Sequence, residues 1–301
     1  MSSLRQKGFE NLLLAPRSTL DLLDAKAVDA FFAKKSPDVV FLAAAKVGGI
    51  QANNVFRADF IHENLQIQTN VIWSAHKHDV QRLIFLGSSC IYPRMAPQPM
   101  PETCLLSGDL EATNRPYAVA KIAGLELVNS LAAQYGRDYF SVMPTNLFGP
   151  GDNFHPEHSH VLPALIRRFV EAAEAKTPLV KVWGTGKPKR EFMFSHDCAD
   201  AITFLAQSLT KDDLLTSPQG RLGFMHVNVG VGEDVSIANV ASQIAIATGY
   251  KGRIEFDASK PDGTPRKLLD VSYLSHLGWK PKFSFAKGLE ETVRWFLENR
   301  T

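Results

Sequence analysis

The sequence predicts an α/β protein: a doubly wound parallel sheet, followed by a smaller C-terminal α/β portion. Two observations carry this prediction. Through the first half, short apolar and β-branched runs alternate with longer runs of helical spacing, the pattern of right-handed βαβ units. From Phe148 onward the elements shorten, and glycine- and proline-rich loops separate them. With 301 residues, 45% of them hydrophobic, the chain is long enough to bury a sizeable core.

The predicted strands are Asn11–Ala15, Asp38–Ala45, Arg82–Gly87 and Tyr139–Asn146, and each ends near small or polar residues. Ligands of open α/β sheets sit at the carboxyl ends of strands, so these ends define the search area. Helical spacing covers Leu20–Lys35, Phe60–His78 and Tyr117–Tyr135, the last punctuated by Pro116 before it and Gly136 after it. In the second half, Val161–Glu174, Asp197–Ser208, Ser236–Thr248 and Phe285–Asn299 read as helices. The loops Gly149-Pro150-Gly151, Gly184–Pro188 and Pro261–Pro265 lie between them. The expected division is 1–150 as a nucleotide-binding portion, joined by parts of 190–230, and 151–301 as a substrate-binding portion.

Composition narrows the function. A net charge of +2, from 33 basic and 31 acidic residues, provides no broad field for nucleic acid or acidic lipid. No apolar run approaches the roughly 20 residues that span a bilayer. Residues Met1 to Lys7 lack the apolar core of a secretory signal. A cytoplasmic protein with a small-molecule partner is expected, without nucleic acid or membrane. The three cysteines, Cys90, Cys104 and Cys198, have neither metal-like spacing nor the density of a disulfide framework.

The chemistry concentrates at Gly87-Ser88-Ser89-Cys90-Ile91-Tyr92 and Tyr117-Ala118-Val119-Ala120-Lys121. Residues i and i+4 share a helix face, so Tyr117 and Lys121 point the same way. A nearby ammonium is expected to lower the Tyr117 pKa and let it exchange a proton near neutrality. A Tyr-Lys pair alone is a weak signal. A strand-end serine, Ser88, placed to donate to the same oxygen strengthens it. Cys90 is either a small buried hydrophobe or a proton-transfer group whose thiol titrates within reach of neutral pH. His155, His158 and His160 lack the acidic or thiol partners that would complete a metal site, so no metal is expected.

Ser88, Tyr117 and Lys121 match the catalytic set of the short-chain dehydrogenases/reductases. More specific blocks extend over nearly the whole chain: Ala43–Ile50, Leu86–Pro93, Met143–Pro150, Asp152–Pro156 and Lys260–Lys267. With these, the chain resembles the GDP-L-fucose synthases of the extended branch of that family. The resemblance implies a Rossmann-type fold, NADP(H), a GDP-sugar substrate and a homodimer. It further implies 3,5-epimerisation of GDP-4-keto-6-deoxy-D-mannose followed by NADPH-dependent reduction at C4. Carried over residue by residue, the catalytic set is Tyr117, Lys121, Ser88, Cys90 and His160. The cofactor would meet Arg17, Ala43, Ala44, Ala45, Leu86, Gly87, Ser88, Ser89, Lys121, Pro144, Thr145, Asn146, Leu147 and His160. The GDP-sugar would meet Arg168, Trp183, Arg190 and Asp262. Each of these four also has a plainer role open to it: a solvated helix residue, a core indole, a surface strand residue and a turn cap.

The resemblance also implies a first strand and a Gly-x-x-Gly-x-x-Gly turn ahead of the first helix. Residues Ser3 to Lys7 read instead as the later part of that helix, and no such run occurs in the 301 residues. The expectation is an N-terminally truncated member with weakened NADPH binding and stability. Gly184-Thr185-Gly186 and Gly230-Val231-Gly232 do not replace the loop, since neither lies between a first strand and a helix. Another nucleotide-sugar epimerase or dehydratase of the same fold, or a catalytically impaired GDP-sugar-binding homologue, stays open as an alternative.

Overall fold

A computed structural model describes residues 1–156, 159–260 and 262–300. The chain opens with α1 (Ser2–Gln6), tied to the body by a Ser3 to Thr203 hydroxyl hydrogen bond of 3.1 Å. The expected strand Asn11–Ala15 does not form: these residues are irregular, and Leu13 and Leu14 are 40% and 58% exposed. A strand needs a ladder partner, and this segment pairs with none among the described residues. The next helix, α2 (Ala25–Lys35), starts five residues later than its apolar spacing suggested, because the Asp24 carboxylate caps the backbone N–H groups of Lys26 and Ala27. Then follow β1 (Val39–Leu42), α3 (Ile50–Val55), α4 (Arg57–Lys77), β2 (Arg82–Leu86), α5 (Arg115–Tyr135) and β3 (Asp138–Pro144). Helix α5 has Pro116 in its first turn, and Gly136 closes it at φ 67°, a left-handed conformation that glycine adopts without strain.

The second half contributes β4 (Asn146–Phe148), α6 (Val161–Glu174), β5 (Leu179–Trp183), β6 (Lys189–Arg190), β7 (Phe192–Phe194), α7 (Ser195–Ser208) and α8 (Lys211–Thr216). It continues with β8 (His226–Val229), β9 (Val235–Ser236), α9 (Ile237–Thr248), β10 (Arg253–Asp257), β11 (Arg266–Lys267), α10 (Ser272–His276) and α11 (Phe285–Asn299). The main sheet has the order β1-β2-β3-β8, all parallel. Alternation along β2 decides its two faces. Leu83 and Phe85 pack with Val28, Val71, Ile72 and Val128 from α2, α4 and α5, while Ile84 packs with Cys198, Ala201 and Leu205 of α7. The sheet is therefore wound on both sides, as expected. The predicted strand Tyr139–Asn146 is in fact two: β3 ends at Pro144, and after Thr145 the chain leaves the main sheet so that β4 can pair with β7. A separate core of α6, β5, α9 and α11 side chains, including Phe169, Val182, Ile244 and Phe296, fills the second half.

Beneath the carboxyl end of β2 lies a buried polar cluster. The Tyr92 hydroxyl donates to Asn228 Oδ1 at 2.5 Å and lies 3.1 Å from His226 Nε2, and the Asn228 backbone N–H donates to Glu102 Oε1 at 3.0 Å. Burial pushes His226 down to about 3 and Glu102 up to about 7. The two act in opposite directions. His226 binds fewer protons folded than unfolded, so its contribution is lost as pH falls from its ordinary value near 6.5 toward 3. Glu102 binds more, so its contribution is complete below about 4.5 and is lost as pH rises through about 7. Glu102→Gln keeps an acceptor for Asn228 and removes only the second effect. Between pH 5 and 8, urea unfolding of the wild type should lose on the order of 2–3 kcal/mol relative to this variant, taking about 1.4 kcal/mol per pKa unit. Parallel stability profiles for the two proteins would show that Glu102 does not titrate this way.

Candidate active site

The sheet register sets the site. Leu42 of β1 pairs with Phe85 of β2, and Leu86 with Val142 of β3, so Ala43, Leu86 and the end of β3 lie at one edge. Ala43, Ala44 and Ala45 are irregular rather than strand, with Ala43 and Ala44 exposed. Gly87 is fixed by its backbone N–H on the Val142 carbonyl at 2.9 Å. A Cβ on Gly87 would come within 2.3 Å of Met143 Sδ, so any larger residue there would have to displace that buried side chain. Ser88 then opens a short 3₁₀ turn, Ser89–Ile91, with its hydroxyl accepting the Cys90 N–H at 3.2 Å. That turn brings Ser88 and Cys90 out of the strand at its carboxyl end, while Ser89 is buried.

Helix α5 supplies the other half. Lys121 is 2% exposed, donates to the Leu86 carbonyl at 2.8 Å, and lies 4.7 Å from the Phe85 ring centroid and 5.9 Å from that of Tyr117. Burial lowers its pKa to about 8. Tyr117 is half-buried, edge-on to Phe60. The expected lowering of the Tyr117 pKa does not occur. Burial raises it, and the charge of Cys90 raises it further, against a hydrogen bond with Ser88. The Lys121 ammonium, 5.9 Å from the Tyr117 ring centroid, does not offset that burial. Tyr117 is therefore held as a phenol, a proton donor.

Cys90 is half-buried, and two side chains that the sequence reading did not single out reach its sulfur. Asn114 Nδ2 lies 3.3 Å and Lys267 Nζ 3.4 Å from Sγ. His160 stands at the N-terminus of α6. The residue as a whole is exposed, but packing around the ring, and then the Lys267 charge, lowers its pKa. Lys267 thus connects Cys90 and His160 electrostatically. His158 and Glu157 lie outside the described residues, and among the described residues no group of three or more His, Cys, Asp or Glu side chains is gathered as for a metal ion.

The remaining cofactor candidates divide into two sets. Pro144 ends β3, and the Thr145 N–H is bonded to the Val229 carbonyl at 3.0 Å. Thr145 Oγ1 and Asn146 Nδ2 both donate to the Glu191 carbonyl, at 3.3 and 2.8 Å, and Leu147 is 36% exposed. These sit beside the Leu86–Ser89 segment across the sheet. Arg17 is exposed in the turn that follows the irregular 11–15 segment, and no contact links it to Tyr117 or Cys90. Glu191, not anticipated from sequence, fastens this region: its fully buried carboxylate accepts from Val231, Gly232 and Leu269 N–H groups at 2.7, 2.8 and 3.0 Å. The Gly230-Val231-Gly232 turn is thereby occupied by a carboxylate of the protein itself.

The proposed sugar-nucleotide residues gather in the second half. Arg168 on α6 donates to the Lys181 carbonyl at 2.8 Å, and with Trp183 it lines a groove of about 500 Å³. Trp183 is 63% exposed, not a core indole, with Lys260 Nζ 5.6 Å from its ring centroid. Arg190 is half-buried and within electrostatic reach of Asp262. Asp262 accepts from the Thr185 N–H and hydroxyl at 2.9 and 2.6 Å, which commits its carboxylate to the 184–185 turn. Gly184 is required there: its φ is 84°, and a Cβ would meet Asp262 Oδ1 at 2.3 Å.

The donor set tests whether a nicotinamide cofactor fits. A buried lysine and a phenol on one helix face, beside the carboxyl end of a parallel strand, suit the nicotinamide and ribose end of such a cofactor. A glycine-rich diphosphate cradle is not among these residues.

Comparison with known proteins gives the family. The model of the NAD dependent epimerase/dehydratase family matches residues 3–221. GDP-L-fucose synthase of Escherichia coli K12 is 56% identical over 297 residues, 99% of this chain and 92% of that protein. GDP-L-fucose synthase 1 of Arabidopsis thaliana is 52% identical over 98% of this chain and 88% of its own length. Among solved structures, a GDP-L-fucose synthetase from Naegleria fowleri bound to NADP superimposes with a TM-score of 0.84, at 30% identity and with 98% of this chain and 88% of that chain covered. A GDP-mannoheptose C4 reductase from Campylobacter jejuni with NADP bound gives 0.89, at 36% identity over 98% and 93%. No helix among the described residues is long and apolar enough to cross a membrane. Matched by the family model over most of its length, and identical to curated relatives at more than half of the aligned positions, the chain belongs to the NAD dependent epimerase/dehydratase family, among its GDP-L-fucose synthases.

Proposed function

We propose that the protein makes GDP-L-fucose from GDP-4-keto-6-deoxy-D-mannose, inverting C3 and C5 and then reducing the C4 ketone with NADPH. The observation that carries this reading is the meeting of Ser88, Tyr117 and Lys121 with Cys90 at one strand end, a reductase set beside a thiol. The C4 ketone acidifies the C–H bonds at C3 and C5, so a base can remove each proton and an acid can return one to the opposite face. Cys90 serves as the base and His160 as the acid. NADPH supplies the hydride for the C4 carbon. Tyr117, held as a phenol by burial, gives its proton to the C4 oxygen, and Ser88 helps to hold that oxygen. Lys121, fixed on the Leu86 carbonyl, keeps the phenol and the ribose side of the cofactor in register.

Arg168 and Arg190 serve the diphosphate, where guanidinium forks suit the oxygens, and the exposed Trp183 face takes a ring of the ligand. Asp262 shapes the turn beside Arg190. Arg17, with the 43–45, 86–89 and 144–147 segments, takes the remaining contacts of NADP(H). Residues 1–150 with parts of 190–230 form the cofactor portion, and the rest of 151–301 the sugar portion. We also place the protein in the cytoplasm as a homodimer joined through α4 and α5, whose surfaces carry Trp73 and Tyr135 at 49% and 51% exposure. The test is to incubate the protein with GDP-4-keto-6-deoxy-D-mannose and NADPH. NADPH should be consumed in proportion to GDP-L-fucose formed, and the absence of both would overturn the proposal.

A further inference from the structure

We propose that Lys267 and Asn114 are positioning residues that hold Cys90 as a thiolate, Lys267 through its charge and Asn114 through its side-chain amide. The inference rests on the reading of Cys90 as the base. A thiol gains basic strength only as its anion, and a neutral thiol sulfur is a weak acceptor. Here two N–H donors converge on one sulfur, at 3.3 and 3.4 Å, and one of them is a cation. That arrangement suits a negative sulfur.

Both donors are held independently of Cys90. Lys267 lies on β11, which pairs with β6, and the next two backbone N–H groups are bonded to Gln98 Oε1 and Glu191 Oε2 at 2.9 and 3.0 Å. Among the described residues no carboxylate forms a salt bridge with Lys267, so its charge is not already neutralised. Asn114 is fixed through its backbone N–H on Glu111 Oε2 at 3.1 Å, and the same carboxylate oxygen takes both the N–H and the hydroxyl of Thr113. The ends of two distant segments are thus anchored before they meet the sulfur. The titratable groups facing Cys90 are Lys267 from β11 and Tyr117 from α5, while His160 at the start of α6 feels Lys267. Tyr117 is a neutral phenol, so Lys267 is the charge that acts on the sulfur.

The experiment is alkylation of Cys90 by iodoacetamide, followed by peptide mass spectrometry, with the buried Cys104 and Cys198 as internal markers of folding. At pH 7, Lys267→Met should react about tenfold more slowly than wild type and Asn114→Ala about threefold more slowly, whereas Lys267→Arg should react near the wild-type rate. All four rates should converge near pH 10, well above the ordinary thiol pKa of about 8.5. Equal rates at pH 7 for wild type and Lys267→Met would overturn the proposal. So would a slow rate that persists at pH 10, which would mean altered access. If labelling of Cys104 and Cys198 reveals that Lys267→Met has unfolded, comparing Lys267→Gln with Lys267→Arg decides the same question. No substrate is needed, so this result stands apart from whether Cys90 performs the epimerisation.

Discussion

Tyr117→Phe should sharply slow NADPH oxidation while leaving proton exchange at C3 and C5 of the substrate. The expected fall in the reduction rate is about 10²- to 10⁴-fold, the range for losing a positioned general acid. Phenylalanine keeps the ring that packs edge-on to Phe60 and removes only the hydroxyl, so the fold changes little. The hydroxyl carries its proton at neutral pH as any ordinary phenol does, and burial, which raises its pKa, leaves that proton in place for the oxygen that gains charge as C4 is reduced. The measurement follows NADPH absorbance in parallel with deuterium uptake from D₂O into the sugar. If oxidation persists at the wild-type rate, the C4 oxygen takes its proton from another group, with Ser88 next in line.

The same residue shows where sequence reasoning reached its limit. The i, i+4 spacing placed Tyr117 and Lys121 on one face of α5 correctly, because helical geometry is local. The direction of the Tyr117 shift was not local. It depends on how much chain surrounds the hydroxyl and on the neighbouring Cys90, and spacing reports neither. Strands fail in a related way. Arg82–Leu86 and residues 11–15 look alike as apolar runs, but only the first has neighbours on both sides to complete its ladder. The Tyr139–Asn146 run hid a change of sheet at Thr145, since periodicity continues while the hydrogen-bond partner changes. Caps were more legible: Pro116 and Gly136 bracket α5 as their chemistry requires.

Long-range contacts to the sulfur were not legible at all. Cys90 and Lys267 are 177 positions apart, and nothing in the run Arg266-Lys267-Leu268 distinguishes this lysine from a solvated one. Glu191 is similar: a carboxylate between Arg190 and Phe192 reads as half of a surface charge pair, yet it is fully buried by three backbone donors from two loops. Asp262 went the other way. The capping role that aspartates in such loops often play is the one its oxygens perform for Thr185.

Cys90→Ser separates the two half-reactions from the other side. Deuterium uptake at C3 and C5 should fall by about 10²- to 10⁴-fold, since a hydroxyl in place of the thiol is a far poorer source of an anionic base near neutrality. Asn114 and Lys267 remain to donate to the serine oxygen, so the geometry survives and the change is one of proton affinity. Cys90 is only half-buried and serine is nearly isosteric, so stability should move by less than about 1 kcal/mol. Cys104→Ser is the matched control. That thiol is 5% exposed, and burial pushes its pKa to about 11, so it has no part in proton transfer near neutrality. The control should exchange normally while losing some stability to a buried hydroxyl. Normal exchange in Cys90→Ser would remove the thiol from the mechanism and leave His160 as the group in the site still able to move a proton from C3 or C5.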